Sequence, residues 1–268
     1  MHIKPKKSLG QNFLIDKNIL KKIRVCAGFS KEDTVLEIGS GQGQLTLELS
    51  PVVRKVYALE IDQRLYPELE KKLSGLNNCP VVKGDILKFN LTQFLGLEGV
   101  EQKVKVIGNI PYYISSPIIE HLINHRRHIR EVYLTVQKEF AKRVIASPGT
   151  KDYGSFSCFV QYYAKAKILF DIKSSCFSPR PKVDSSFLFL EFREKPEIEI
   201  KDELSFFKLI RTAFNQRRKT LRNTLSGFLT KLELEEILAE LGIGINARAE
   251  ELSLSQFAQL YRNIQKKS

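Results

Sequence analysis

Between residues 35 and 192, short apolar runs, most of them with β-branched residues, alternate with amphipathic stretches, and this alternation limits the fold more than any other feature of the chain. The runs fall at 35–38, 56–59, 81–82, 104–107, 132–136, 168–170 and 187–192, bounded by Gly, Asp, Asn and Pro. Strand-length runs separated by helical patterns read as βαβ units around a mainly parallel sheet. Seven strands suffice for one doubly wound α/β domain. The last two runs lie closer together across a loop rich in Ser and Pro, which predicts an antiparallel addition at the sheet edge.

The pattern changes after the charged stretch Arg193-Glu-Lys-Pro-Glu197. Only helical periodicities follow, at 204–214, 219–229, 234–241 and 254–264. Thr230-x-x-Glu233 and Ser253-x-x-Gln256 have the form of capping boxes and mark two helix starts. The chain therefore divides into an α/β domain over 1–195, with a basic N-terminal arm, and a small all-helical domain over 196–268.

With 268 residues the chain can bury a full-sized core without disulfides or metal. Cys26, Cys79, Cys158 and Cys176 show neither a C-x-x-C pair nor zinc-ligand spacing, so reduced thiols, no metal and a cytoplasmic location are expected. The basic N-terminus is followed by no apolar core of a secretory signal. The longest uncharged run, 106–119, is too short to span a bilayer and contains Pro111 and Pro117. No membrane association is expected.

The 43 Lys and Arg outnumber the 30 Asp and Glu, a net charge of +13 that favours a polyanionic partner. Residues 1–24 hold seven basic side chains against Asp16 alone, and residues 196–268 carry a net charge of only +2. Further basic clusters lie at 125–130 and 208–222. Clusters this far apart suit an extended footprint on folded RNA better than a single groove-reading helix.

The first strand runs into Gly39-Ser-Gly-Gln-Gly43 and then into a helical pattern. Glycines here allow a tight turn and close approach of a ligand, which makes Gly39 and Gly41 a candidate cradle. Position 44 is Gln, so the G-x-G-x-x-G dinucleotide fingerprint is incomplete, and no phosphate-loop motif is present. Glu60 closes the second strand, twenty-one positions after Gly39, where an acidic side chain can accept ribose hydroxyls. Asp85 and Asn109 follow the third and fourth strands. In an open parallel sheet these strand ends border one crevice.

Asn109-Ile-Pro-Tyr112 points to a particular chemistry. The exocyclic amine of adenine is a poor nucleophile because its lone pair is delocalised into the ring. The Asn109 carboxamide oxygen and the Ile110 carbonyl can accept its hydrogens and aim that lone pair at a methyl donor, while Pro111 stiffens the turn and Tyr112 offers a stacking face.

These residues resemble the ribosomal RNA adenine dimethylase family of S-adenosylmethionine-dependent methyltransferases, and within it the small-subunit branch. The resemblance is carried by Lys7-Ser-Leu-Gly-Gln-Asn-Phe-Leu14, Val35-Leu-Glu-Ile-Gly-Ser-Gly-Gln-Gly43, Asn109-Ile-Pro-Tyr112 and Phe177-Ser-Pro-Arg-Pro-Lys-Val-Asp-Ser185. Ala213-Phe-Asn-Gln-Arg-Arg-Lys-Thr-Leu-Arg-Asn223 and Arg248-Ala-Glu-Glu-Leu-Ser253 extend it into the helical region. It implies a Rossmann-like class I methyltransferase sheet and dimethylation of N6 of two adjacent adenosines in the 3′-terminal hairpin of small-subunit rRNA. The implied partners are that rRNA and the immature small ribosomal subunit, met by a monomer. By position, Asn12 and Leu14 border S-adenosylmethionine, Gly39 its methionine part, Glu60 its ribose, Asp85 its adenine, and Asn109 the reaction centre. Phe177 is then a second aromatic facing the target base opposite Tyr112. Three alternatives stay open from sequence: a large-subunit rRNA dimethylase of antibiotic-resistance type, a mainly non-catalytic rRNA-binding assembly factor, and a nicotinamide oxidoreductase.

Overall fold

The computed structural model describes residues 4–267; Met1, His2 and Ile3, the first residues of the N-terminal stretch, and Ser268 lie outside it. A 3₁₀ turn at Lys7–Leu9 precedes strand β1 (Phe13–Leu14) and helix α1 (Lys17–Ala27). Four strand–helix pairs follow: β2 (Thr34–Ile38) and α2 (Gln44–Leu49), β3 (Lys55–Glu60) and α3 (Tyr66–Leu73), β4 (Val81–Lys83) and α4 (Leu91–Leu97), and β5 (Val104–Asn109) and α5 (Ser115–Asn124). Next come β6 (Ile129–Gln137), α6 (Lys138–Ile145), α7 (Ser155–Tyr163), β7 (Ala164–Ile172), β8 (Phe177–Ser178) and β9 (Ser185–Phe192). The C-terminal helices are α8 (Glu203–Phe214), α9 (Leu221–Thr224), α10 (Lys231–Glu240) and α11 (Leu254–Lys267). No described helix is long and apolar enough to cross a membrane.

All seven expected strands form one sheet in the order β4-β3-β2-β5-β6-β9-β7. β2 to β6 pair in parallel, and every residue of β2 is buried, as suits a central strand covered on both faces. The antiparallel addition is β9, which lies between β6 and β7 rather than outermost. Val35, Val56, Ala58, Ile107, Tyr133 and Phe187 present one face of the sheet to a core shared with Leu20, Ile23 and Ala27 of α1. Asp16 starts α1 by accepting from the amides of Asn18 and Ile19, and Gly28 ends it with a left-handed backbone.

The order places β3 and β4 on one side of β2 and β5 on the other, so the chain reverses direction across the sheet between β2 and β5. Ligands bind outside the carboxyl ends of strands at such a switch point. Parallel register brings Ile38 beside both Leu59 and Gly108, Glu60 beside Lys83, and Asn109 beside Thr135.

The chain forms two compact units, residues 1–141 with 166–192 and residues 142–165 with 193–268. The segment 142–165 thus groups with the C-terminal helices, although the sequence reading assigned it to the α/β domain. Within the second unit, Phe159, Tyr162 and Tyr163 of α7 meet Phe207 of α8 with ring centroids 5.1, 5.3 and 5.8 Å apart, and Tyr153 meets Phe214. Both capping boxes form: the Glu233 amide donates to the Thr230 hydroxyl and the Gln256 amide to that of Ser253, and each carboxylate or carboxamide returns to its partner's amide. The helix expected over 219–229 is confined to α9. The hydroxyls of Thr224 and Ser226 donate to backbone carbonyls three or four residues back, competing with helix propagation, and Gly227 follows.

Candidate active site

The glycine loop follows β2 and is sealed to the end of β3 by its own backbone. The amides of Gly39 and Ser40 donate to the Leu59 carbonyl at 2.8 and 3.1 Å. Gly39 and Gly41 hold φ of 72° and 55°, the left-handed region that glycine occupies without steric cost. At Gly41 a Cβ would lie 2.9 Å from the Phe13 ring, so that position excludes any side chain on two grounds.

Glu60 is 4% exposed, and its carboxylate collects three amides: Gly41 at 2.7 Å on one oxygen, Ile61 at 2.9 Å and Asp62 at 2.8 Å on the other. Burial raises its pKa, and the three amides oppose that rise by stabilising the charge. Asp85 accepts from the Leu87 amide at 3.0 Å, which starts a short 3₁₀ turn and leaves the carboxylate at the rim. Gly39, Gly41, Glu60, Asp85 and Asn109 all line one cleft that opens to solvent. Ile38, Ile61 and Ile86 supply apolar walls, and Asn12 and Phe13 of the N-terminal arm supply another.

The Asn109 side chain has a defined orientation. Its Nδ2 donates to the Asn12 carbonyl at 2.7 Å, which leaves Oδ1 as the free acceptor. Ile110 is buried, and Pro111 has φ −60° and ψ 132°, which turns the chain into the 3₁₀ segment Tyr112–Ile114. The Tyr112 hydroxyl pairs with Ser185 Oγ at 2.6 Å, and burial raises its pKa. Asn109, Ile110, Pro111 and Tyr112 all line the cleft, as does the mostly exposed Tyr113.

Two residues sit elsewhere. Leu14 is 6% exposed and lines a smaller adjoining pocket that shares Phe13, Gly39 and Asn109 with the cleft. Phe177 is 3% exposed and does not line the cleft. It pairs with Leu14 in the two-stranded ribbon of β1 and β8, and the strand alternation turns it into the core while Ser178 faces outward. Phe177 thus packs in the core, and its facing the target base is part of the functional proposal.

Other residues of the site drew no attention from the sequence. Glu37 on β2 is 2% exposed, accepts from the Thr46 hydroxyl at 2.5 Å, and is pushed up to about 7 by burial, which outweighs the hydrogen bonds from Thr46 and Ser40. It stood inside a quoted motif, but nothing in the motif marks it as buried. Gln11 and Asp62, fifty-one positions apart, are joined side chain to side chain at 2.9 Å. Arg64, through its hydrogen bonds to Asp62, holds that carboxyl down at about 2.

A cradle whose Gly39 leaves room for a close ligand, a buried carboxylate at the second strand end and apolar walls beyond it suit a nucleoside carrying an amino-acid tail. The family model for ribosomal RNA adenine dimethylase matches residues 2–266. The chain belongs to the ribosomal RNA adenine dimethylase family. Among relatives of this family, the Ribosomal RNA small subunit methyltransferase A of Caldanaerobacter subterraneus subsp. tengcongensis is 45% identical over 260 residues, covering 96% of this chain and 96% of that protein. The crystal structure of a dimethyladenosine transferase from Plasmodium falciparum superposes with a TM-score of 0.80 at 30% identity, covering 95% of this chain and 98% of that one. The 23S rRNA methyltransferase ErmE superposes with a TM-score of 0.73 at 27% identity, covering 95% and 100%. A Rossmann-like α/β sheet with helices is common to the dimethylase family and to this chain.

Proposed function

We propose that this protein is an S-adenosylmethionine-dependent dimethyltransferase of adenine N6 in small-subunit ribosomal RNA, with two adjacent adenosines of the 3′-terminal hairpin as its target. The observation that carries the reading is the orientation of Asn109: a neutral acceptor at the carboxyl end of β5, its amide end occupied by Asn12 and its oxygen free beside the cleft. The full-length match to a relative named for the small subunit, at 45% identity, favours that rRNA over the large-subunit rRNA of the ErmE neighbour at 27%. The same reading places the protein in the cytoplasm, acting as a monomer on the immature small subunit.

In this reading Gly39 and Gly41 receive the methionine part of S-adenosylmethionine, Glu60 the ribose and Asp85 the adenine, with Asn12 closing the wall. When bound, that group supplies an electrophilic methyl on a sulfonium. Asn109 Oδ1 and the Ile110 carbonyl accept the hydrogens of the target amine and orient its lone pair, which is catalysis by position and fixed dipoles. Asn109 has no basic group, so the proton leaves once the nitrogen has become cationic. Tyr112, anchored by Ser185, holds the base by stacking. The second transfer proceeds with one hydrogen fewer, and a neutral Asn tolerates this without a stranded buried charge.

Purified protein given labelled S-adenosylmethionine and undermethylated small subunits should transfer four methyl groups per subunit, and Asn109→Ala should abolish transfer while retaining rRNA binding. Label found only in large-subunit RNA, or methylation that persists in Asn109→Ala, would overturn the assignment.

A further inference from the structure

The N-terminal arm is more than a passive wall. Ahead of the β1–β8 ribbon, and besides the Tyr113 hydroxyl that donates to the Ser8 carbonyl, it meets the rest of the fold through two side-chain contacts beside the cleft. In the first, Gln11 Nε2 donates to Asp62 Oδ2 at 2.9 Å, while Gln11 Oε1 accepts from the Lys6 amide at 2.7 Å, so both ends of this carboxamide are committed. In the second, the Asn12 carbonyl accepts from Asn109 Nδ2. Gln11 and Asn12 are adjacent in sequence, so whatever seats one seats the other.

Asp62 is built to hold such a contact. Its carboxylate is 5% exposed and receives Arg64 through two nitrogens at 2.9 and 2.6 Å, a bidentate pair that fixes the oxygens in one plane. Its own amide donates to Glu60 Oε1 at 2.8 Å. Asp62 is thus tied by its backbone to the carboxylate of the ribose site and by its side chain to the arm. Without the Gln donor, Asp62 Oδ2 keeps only the bond from Arg64, so the closed position adds a second donor to a buried oxygen.

We propose that Gln11 and Asp62 form a latch that seats the N-terminal arm over the S-adenosylmethionine cleft, and that through Asn12 this closure sets the carboxamide of Asn109 for catalysis. The proposal rests on the reading of the cleft and of Asn109 given above. With the arm lifted, Asn109 Nδ2 has lost its acceptor, and a half-turn of the amide would present hydrogens instead of oxygen to the target amine. S-adenosylmethionine therefore enters and S-adenosylhomocysteine leaves with the latch open, and the base meets an oriented Asn109 only when it is closed. Gln11 and Asp62 are positioning residues in this scheme; neither touches the reacting atoms.

The test uses the full chain and labelled S-adenosylmethionine chased with excess unlabelled compound, together with single-turnover transfer at saturating cofactor. Gln11→Met and Asp62→Ala should each speed release about tenfold and slow single-turnover transfer by a similar factor. The double variant should go no further than either single one, because both remove the same contact. Gln11→Glu adds a second carboxylate opposite Asp62, so its release should slow toward the wild-type rate as pH falls from 8 to 5 and the new carboxyl regains a proton to donate. Wild-type release is measured beside it, because Glu37 titrates over the same range and burial raises Glu60, and it is the ratio of the variant's rate to the wild-type rate that should fall with pH. Wild-type release rates in both single variants, or effects that multiply in the double variant, would overturn the latch alone. Failure of the wild-type chain to bind S-adenosylmethionine would instead overturn the reading of the cleft.

Discussion

Glu37 offers the most quantitative check on the architecture beneath the glycine loop. It sits on β2 with no basic partner among the described residues, satisfied by the hydroxyl of Thr46 in α2, and its pKa lies at about 7 against an ordinary 4.5. The ionised form in the folded protein is therefore disfavoured by about 3 kcal/mol relative to the unfolded chain. Below pH 4.5 both states hold the proton and this cost is absent. Between 4.5 and 7 the unfolded chain gives up its proton while the folded one keeps it, so stability falls as pH rises, and the full cost is present above 7. Glu37→Gln keeps an oxygen for Thr46 and cannot ionise. Thermal melts of wild type and variant from pH 4.5 to 8.5 should give curves that diverge by about 3 kcal/mol in favour of the variant as pH rises, or roughly 6–12 °C for a unit of this size. Any packing cost of the extra amide hydrogens appears as a constant offset and leaves the divergence untouched. Parallel curves would refute the reasoning, since Glu37 would then ionise in its buried site as easily as in water.

Two further outcomes follow from the site. Phe177→Ala should destabilise the first unit by about 3–5 kcal/mol through a core cavity, measured by denaturant unfolding, and should leave S-adenosylhomocysteine affinity intact under conditions where the variant is folded. A catalytic loss without any loss of stability would assign Phe177 to the target base instead. Gly41→Ala forces a side chain into a left-handed backbone and against the Phe13 ring, and should weaken S-adenosylhomocysteine about tenfold or more by titration calorimetry; unchanged affinity would mean that the loop does not form the cradle.

The seven sheet strands were readable in the sequence because each is a short apolar run punctuated by turn residues, most of them β-branched. The polar residues at their carboxyl ends were readable for the same reason, since Glu60, Asp85 and Asn109 stand where apolar character stops. The ribbon of β1 and β8 was not, because two residues per strand display no period. Residues 142–165 look like one more crossover of the α/β region, and only the three-dimensional meeting of Phe159, Tyr162 and Tyr163 with Phe207 shows which helices they join. Resemblance carried Phe177 to the right neighbourhood but could not say which way its ring points. The pairing of Gln11 with Asp62 is a product of topology, and neither residue has a local signal to announce it.

The small ribbon also bears on how the protein is made. Phe13 and Leu14 pair with Ser178 and Phe177, partners that leave the ribosome only after most of the sheet has been synthesised. Strands β2 to β6 can assemble on a nascent chain by mostly neighbouring contacts, but the arm has no β8 to dock against until that point. The glycine cradle can thus be in place well before its outer wall has a strand to lean on, and the finished cleft marks a chain that has emerged at least as far as β8.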